Sequence, residues 1–285
     1  MIPAAFEYVR ATSVEEALAK MAGSNGRGKF VAGGHSLVPL MKLRLSQPQV
    51  LIDIARIPEL SGIRQQDGHI EIGAGTVHHD VASSALLRTL CPVLCDAAAE
   101  IGDPQVRNRG TLGGSLAHAD PSADYPASML ALDADIRIAG PKGARTVNAS
   151  AFFRDLFTVD LAPDEIITSV RFAPVRASAY AKLHQRASHY AIVGVAAALE
   201  VSGGTIRAAR VGLTGAGPCA IRLSTVEDAL AGRNASPDAI AAAVQHAAAD
   251  LRTVNADLHA SAEYRRAMVP VFTRRALNAA LARAG

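Results

Sequence analysis

The stretch that decides the reading is Lys29-Phe-Val-Ala-Gly-Gly-His-Ser-Leu-Val-Pro-Leu-Met-Lys-Leu-Arg-Leu45. Lys29 to Ala32 predicts a strand, Gly33-Gly34 ends it, and Leu37 to Leu45 has helical spacing, with Pro39 tolerable because it lies in the first turn. A glycine loop between strand and helix brings successive backbone N–H groups close to phosphate oxygens, and Ser36 adds a hydroxyl. Further along, Thr111-Leu-Gly-Gly-Ser115 repeats the pattern, so each loop is expected to hold one side of a pyrophosphate.

Elements alternate on both sides of these loops. Ser13-Val-Glu-Glu16 is a capping-box pattern that starts a first helix. Val50 to Ile54 and His69 to Ile72 predict short strands, and Thr76 to Ile101 predicts helices, with Thr76 as N-cap and a break at Pro92. Asp135 to Ile138 and Ile166 to Phe172 predict strands, with Phe152, Phe153 and Phe157 on a short helix between them. Linker composition at Ala173 to Ser178 places a domain boundary near Pro174, dividing the chain into 1–175 and 176–285. The second part predicts three antiparallel strands, Tyr180 to Leu183, Val193 to Val201 and Ile206 to Leu213, the last two joined by a Ser202-Gly-Gly204 hairpin turn. Three helices follow: one from the Ser224 to Glu227 capping box, one from Ser236-Pro237, and one over Ser261 to Arg283, kinked at Pro270. The fold class is α+β.

Composition removes whole classes of function. The 285 residues carry 29 basic and 26 acidic side chains, and a net charge of +3 is too small to point to nucleic acid or an anionic membrane. Three cysteines, Cys91, Cys95 and Cys219, make no disulfide framework and cannot supply four thiolates to an iron–sulfur cluster. No stretch approaches the ~20 apolar residues of a spanning helix. The opening Met1 to Tyr8 has neither the basic nor the apolar region of a signal peptide, so a cytoplasmic protein is expected. His78-His79-Asp80, with both histidines expected at the surface, and His118 with Asp120 lack the convergent third and fourth ligands that zinc needs. Gly215-Ala-Gly217-Pro-Cys-Ala220 fits a dinucleotide fingerprint only on paper, because Pro218 and Arg222 suit no nucleotide-binding helix. Cys91 and Cys95 read as buried structural thiols. No nucleophile, general acid or base, or metal set remains.

The 30–45 string, followed by Gln47-Pro48 and Leu51 to Ile54, resembles the first flavin motif of the FAD-binding medium subunit of molybdenum hydroxylases. Thr111-Leu-Gly-Gly-Ser-Leu-Ala-His-Ala-Asp-Pro-Ser-Ala-Asp-Tyr-Pro126 is similar to the second. The resemblance covers essentially the whole chain and includes the carbon monoxide dehydrogenase and xanthine dehydrogenase branches. It implies a vanillyl-alcohol-oxidase (PCMH)-type FAD-binding domain of two α/β subdomains, followed by a C-terminal domain of a three-stranded antiparallel sheet and helices. By position it implies that Ala32, Gly33, Gly34, His35 and Ser36, with Thr111, Leu112, Gly113, Gly114 and Ser115, wrap the FAD pyrophosphate. It further implies Asp124 near the ribityl or phosphate region, Ile101 and Leu161 packing on the cofactor, Lys182 near the flavin ring, and Tyr190 over the isoalloxazine. Read on their own, Asp124 could equally form a turn before Tyr125-Pro126, and Lys182 could lie on a solvated strand face. The resemblance also implies partners: a molybdenum-cofactor large subunit and a small subunit with 2Fe–2S clusters, as a dimer of heterotrimers. The flavin would carry the redox chemistry. The other readings are a free-standing flavoprotein oxidoreductase and a noncatalytic nucleotide-binding protein.

Overall fold

The computed structural model describes residues 1–284. The chain begins with β1 (Glu7–Arg10), α1 (Val14–Gly23), β2 (Gly28–Val31), α2 (Leu37–Lys42) and β3 (Val50–Asp53), whose strands form a parallel sheet in the order β1-β3-β2. Ser13 caps α1 as its sequence implies, the hydroxyl accepting from the Glu16 N–H at 3.1 Å. The Glu16 carboxylate overshoots the reciprocal bond and accepts instead from the Thr12 N–H at 2.7 Å. Ala17 and Met21 of α1 share a core with Ile52 of the central strand, and Met41 of α2 packs with Val31 and Leu51 of the same sheet.

The chain then builds a second layer from β4 (Ile63–Gln66) and β5 (His69–Gly73), followed by short helices α3 (His78–Ser83), α4 (Ala85–Leu90), α5 (Pro92–Ala99), α6 (Pro104–Arg107), α7 (Leu112–His118) and α8 (Asp124–Ala131). The strands β6 (Asp135–Gly140) and β7 (Gly143–Asn148), the turn α9 (Ala149–Phe152), the hairpin β8 (Phe153–Asp155) and β9 (Thr158–Val159), and β10 (Ile166–Phe172) complete it. The sheet order β4-β5-β10-β6-β7 is antiparallel throughout. Ile70, Ile72, Ile136, Ile138 and Val170 share one core with Leu94, Leu112, Leu116 and Met129 from the helices. Pro92 starts α5 at its first turn, where its missing N–H costs nothing. Thr76 does not cap a helix. Its hydroxyl is spent on Gly62, accepting from the N–H at 3.0 Å, and Val77 takes the N-cap position. Phe153 and Phe157 fall on the β8–β9 hairpin and not on a helix, because only Ala149 to Phe152 make a helical turn.

After a short link come β11 (Ser178–His184), β12 (Ala191–Ser202), β13 (Thr205–Thr214) and β14 (Ile221–Arg222), paired in that order, so the expected three strands gain a two-residue fourth. The helices α10 (Ser224–Leu230), α11 (Pro237–Ala243) and α12 (Ala262–Leu281) follow, with α12 unbroken through Pro270. Gly203 and Gly204, at φ +57° and +70°, form the expected hairpin turn. The Ser224 box is not made. Leu223 occupies the N-cap, and Glu227 instead accepts from the Val211 N–H and pairs with Arg222.

Strand β12 is buried on both sides, and its period of two divides its residues between two cores. Val193, Val195, Ala197 and Leu199 face the C-terminal helices, while Ala196 and Ala198 face the core beneath α5 and α8. Helix α8 presses so closely on this sheet that a Cβ on Gly212 would lie 2.1 Å from the Ala127 carbonyl oxygen. Small residues on that strand face are therefore a packing requirement, which accounts for part of the alanine richness of the sequence.

Candidate functional site

The first glycine loop follows β2 and leads into α2. A Cβ on Gly33 would stand 2.2 Å from the Arg109 carbonyl oxygen and 2.8 Å from Gly110 Cα, so the segment before the second loop lies directly against the first. The two stretches, separated by about eighty residues, are one structure. Gly34 adopts φ +77°, and the Val38 N–H closes the turn on its carbonyl at 2.9 Å. Among the described residues, the N–H groups of Gly33, Gly34, His35, Ser36 and Leu37 have no hydrogen-bond partner, and neither does the Ser36 hydroxyl. Five consecutive unspent donors on a glycine-rich turn are the kind of backbone that can receive an anion.

The second loop is built differently. Thr111 Oγ1 caps α7 by accepting from the Gly114 N–H at 3.1 Å. The Leu112 N–H donates to the Thr76 carbonyl at 3.0 Å, the Gly113 N–H to the Ala74 carbonyl at 2.7 Å, and the Ser115 N–H to the Thr111 carbonyl at 3.0 Å. Its amides are therefore committed, where sequence reasoning assigned free donors to both loops. The reason is a β-bridge between Val77 and Thr111 that the sequence does not announce. Leu112 is fully buried, and a Cβ on Gly113 would meet the Ala74 Cβ at 2.5 Å, so both face inward. Gly114 and Ser115 face outward, and a Cβ on Gly114 would touch nothing but Thr111 Oγ1, at 2.7 Å. The second loop thus offers a smooth wall beside the donor row of the first.

His78, expected at the surface, is buried beneath this wall, its ring centroid 5.3 Å from that of Tyr125. Burial, reinforced by the neighbouring His35 and Arg107, lowers its pKa to about 4, so it is neutral at ordinary pH. His79 is exposed, and His118 packs its ring on Phe157 at 5.2 Å. Cys91 and Cys95 are buried, and desolvation pushes both thiols up, Cys95 to about 11, as inert core cysteines require.

A second constellation forms where the C-terminal sheet meets the first domain. Asp124 is the first residue of α8, not a turn residue, and is only 4% exposed. The Tyr180 hydroxyl donates to its Oδ1 at 2.5 Å, and the Lys182 ammonium lies 2.9 Å from the same oxygen. The Lys182 side chain is fully buried, so it is no solvated strand residue. It also donates to the carbonyls of Glu100 at 2.8 Å and His189 at 2.7 Å. Burial pushes the Asp124 carboxyl up, and the Lys182 charge and the Tyr180 bond oppose that push. Tyr190 sits 45% exposed on the loop joining β11 to β12. Beside this loop a cavity of about 440 Å³ is lined by Glu100, Gly102, Arg107, His184 and His189, the two imidazoles stacked at 5.1 Å. Ile101 and Leu161 are half-buried against the large core. Tyr180 carried no motif signal in the sequence; only Gly194, on the neighbouring strand opposite Lys182, hints at the space its hydroxyl needs. The suspect Gly215-Ala-Gly217 stretch is structural, its Gly215 carbonyl held by the buried Arg265 at 2.9 Å.

Comparison with known proteins agrees over the full length. The family described as FAD binding domain in molybdopterin dehydrogenase matches residues 4–174, and the CO dehydrogenase flavoprotein C-terminal domain matches residues 178–280. The chain is 42% identical over 286 residues to the carbon monoxide dehydrogenase medium chain of Hydrogenophaga pseudoflava, covering 99% of each. It is 34% identical to the nicotine 6-hydroxylase medium subunit of Paenarthrobacter nicotinovorans, covering 98% of each. Among solved structures, a carbon monoxide dehydrogenase of H. pseudoflava superposes with a TM-score of 0.95 at 42% identity, covering 100% of each chain. Quinoline 2-oxidoreductase from Pseudomonas putida 86 superposes at 0.93 with 32% identity, covering 100% of this chain and 99% of that one. Glycine loops, layer order and full-length similarity converge on one conclusion: the chain belongs to the family of FAD-binding medium subunits of molybdenum-dependent hydroxylases.

Proposed function

We propose that this chain holds FAD along the two glycine loops and serves as the electron-exit subunit of a molybdenum hydroxylase. The observation that carries the site assignment is the row of five unpartnered N–H groups from Gly33 to Leu37 beside the open face of Gly114. A pyrophosphate is a doubly charged anion with several acceptor oxygens, and this cradle offers donors on one side and a wall without side chains on the other. The residues present therefore fit the group. FAD, when bound, supplies the redox chemistry, receiving electrons from a partner chain and giving them to an external acceptor.

The chain's own residues bind, orient and shield. Gly33, Gly34, His35 and Ser36 would hold the phosphates through backbone donors and the Ser36 hydroxyl. Thr111 and Gly113 hold the second loop against the Ala74 to Val77 segment, keeping the Gly114 surface flat. Ile101 and Leu161 would line the cofactor's apolar contacts, and Tyr190 would cover the reactive face. Lys182, with its donors already spent within the protein, acts on the site through Asp124 and the Tyr190 loop. The partners would be a molybdenum-cofactor subunit and an iron–sulfur subunit, in a dimer of heterotrimers, in the cytoplasm. The domain division would fall between Phe172 and Ser178, where β10 ends and β11 begins. No helix among the described residues is long and apolar enough to cross a membrane.

Replacing Gly114 with Val tests the site. The added side chain projects from the wall into the space assigned to the pyrophosphate, so a folded variant should be purified without flavin. Retention of FAD at the wild-type level in a folded Gly114→Val protein would refute the assignment. Copurification of iron- and molybdenum-containing chains with the wild-type protein tests the partners; isolation of an active flavoprotein without them would favour the free-standing enzyme.

A further inference from the structure

Lys182 has three N–H donors and spends them on three different segments: the Glu100 carbonyl after α5, the Asp124 carboxylate at the start of α8, and the His189 carbonyl in the β11–β12 loop. We propose that Tyr180 and Lys182 are positioning residues for this loop: Tyr180 seats Asp124, Asp124 seats the Lys182 ammonium, and Lys182 ties down His189 and with it Tyr190. What the loop covers rests on the FAD reading; the tether itself rests on hydrogen bonds within the chain.

The loop makes its own turn. The Gln185 N–H donates to the Tyr190 carbonyl at 2.9 Å, the His189 N–H donates to the Gln185 carbonyl at 2.9 Å, and the Gln185 side-chain oxygen accepts from the Ala187 N–H at 2.7 Å. These bonds keep its shape without fixing where the turn points. His189 holds φ +61°, a left-handed conformation that a non-glycine residue keeps only when its surroundings demand it. The Lys182 bond to its carbonyl ties this strained residue to the first domain. The Ala191 N–H adds a second tie at the loop's foot, to the Ser122 carbonyl at 3.1 Å.

Tyr180 is placed for its part by the strand beside it. Lys182 pairs with Gly194 across the β11–β12 ladder, and a Cβ on Gly194 would stand 2.1 Å from the Tyr180 hydroxyl. Glycine there leaves room for the hydroxyl to reach Asp124. A buried lysine is costly unless it is fully hydrogen-bonded and paired, and here one carboxylate supplies the counter-charge at hydrogen-bond distance. Weakening the hold on Asp124 therefore loosens the ammonium that the loop depends on.

Trypsin reads the tether with or without flavin, because exposed Arg186 lies within the loop while exposed Arg252 lies far along the chain. Cleavage of a transiently opened segment follows the population of the open form. Tyr180→Phe, Lys182→Met and Gly194→Ala should each raise the cleavage rate of the full-length protein after Arg186 about tenfold, equivalent to ~1.4 kcal/mol, and leave Arg252 unchanged. Lys182→Arg, which keeps the charge, should recover part of the protection. In protein loaded with FAD, iodide quenching of flavin fluorescence should rise in the same variants. Unchanged cleavage after Arg186 in Tyr180→Phe and Lys182→Met would overturn the proposal, as would equal acceleration at Arg186 and Arg252. If no variant and no wild-type protein takes up FAD while Arg186 responds as stated, the FAD reading fails and the tether stands.

Discussion

Replacing Gly33 with alanine separates the two demands made on the first loop. Gly33 has no left-handed φ, so alanine meets no backbone strain; the only obstacle is the Cβ itself. That atom would lie 2.2 Å from the Arg109 carbonyl oxygen, about 0.8 Å inside the 3.0 Å that real Cβ contacts respect, and 2.8 Å from Gly110 Cα. Both obstacles are backbone, so no side chain can rotate away. The loops must part by most of an ångström. Overpacking of this kind costs ~1–3 kcal/mol, and in a chain of this size each kcal/mol lowers the melting temperature by roughly 2–4 °C. The same displacement takes the donors from Gly33 to Leu37 out of register with the Gly114 wall. Losing one hydrogen bond to a charged phosphate, at about 1.5–3 kcal/mol, corresponds to a roughly tenfold to hundredfold weaker FAD affinity. Thermal melting of the protein without flavin gives the first number, and titration of flavin fluorescence gives the second. A Gly33→Ala protein that melts within one degree of wild type and binds FAD equally well would refute the claim that the loops touch at this point.

Three further outcomes follow from buried groups. His78 is neutral in the fold, with its pKa at about 4, while the unfolded chain binds a proton near the ordinary pKa of 6.5. The unfolded state therefore gains protons first as pH falls, and stability should decline between about 6.5 and 4 by up to roughly 3 kcal/mol. Urea midpoints measured across that range should show the slope in wild type and lose it in His78→Gln; an unchanged slope would remove His78 as its source. Arg265→Met takes donors from the Ile192 and Gly215 carbonyls and a partner from Asp257, at a cost of about 2–4 kcal/mol read by thermal melting. Asp124→Asn keeps the shape but removes the carboxylate that holds the Lys182 ammonium at 2.9 Å, so the lysine should lose its seat and become reachable by reagents in solution. Reaction of Lys182 with an amine-selective reagent, read by mass spectrometry at pH 8, should rise in that variant and stay negligible in wild type.

The elements legible in the sequence are those whose pattern is local. Ser13 and Ser236 cap helices as their spacing implies, Pro92 divides two helices, and the Ser202-Gly-Gly204 turn joins two long strands. The strands β1, β4 and β7 gave no signal because they lie at sheet edges with mostly exposed or half-exposed residues, and β14 is only two residues long. Capping motifs misled where tertiary partners outbid the local bond: Thr76 is spent on Gly62, and Glu227 on Val211 and Arg222. The same distinction runs through the site. Glycine pairs marked both loops, yet which loop keeps free donors depends on the Val77–Thr111 bridge. Tyr180 is an ordinary strand residue in the sequence, and its role emerges only because β11 lays it beside Asp124, fifty-six residues away.

The central claim is that the donor row of the first loop and the bare wall of the second form one FAD site. Equilibrium dialysis of the purified chain against FAD, with the flavin read by its visible band near ~450 nm, addresses it most directly. The account predicts one FAD per chain, with inorganic pyrophosphate competing and the Gly114→Val protein binding none. A folded wild-type chain that remains colourless under saturating FAD would contradict it.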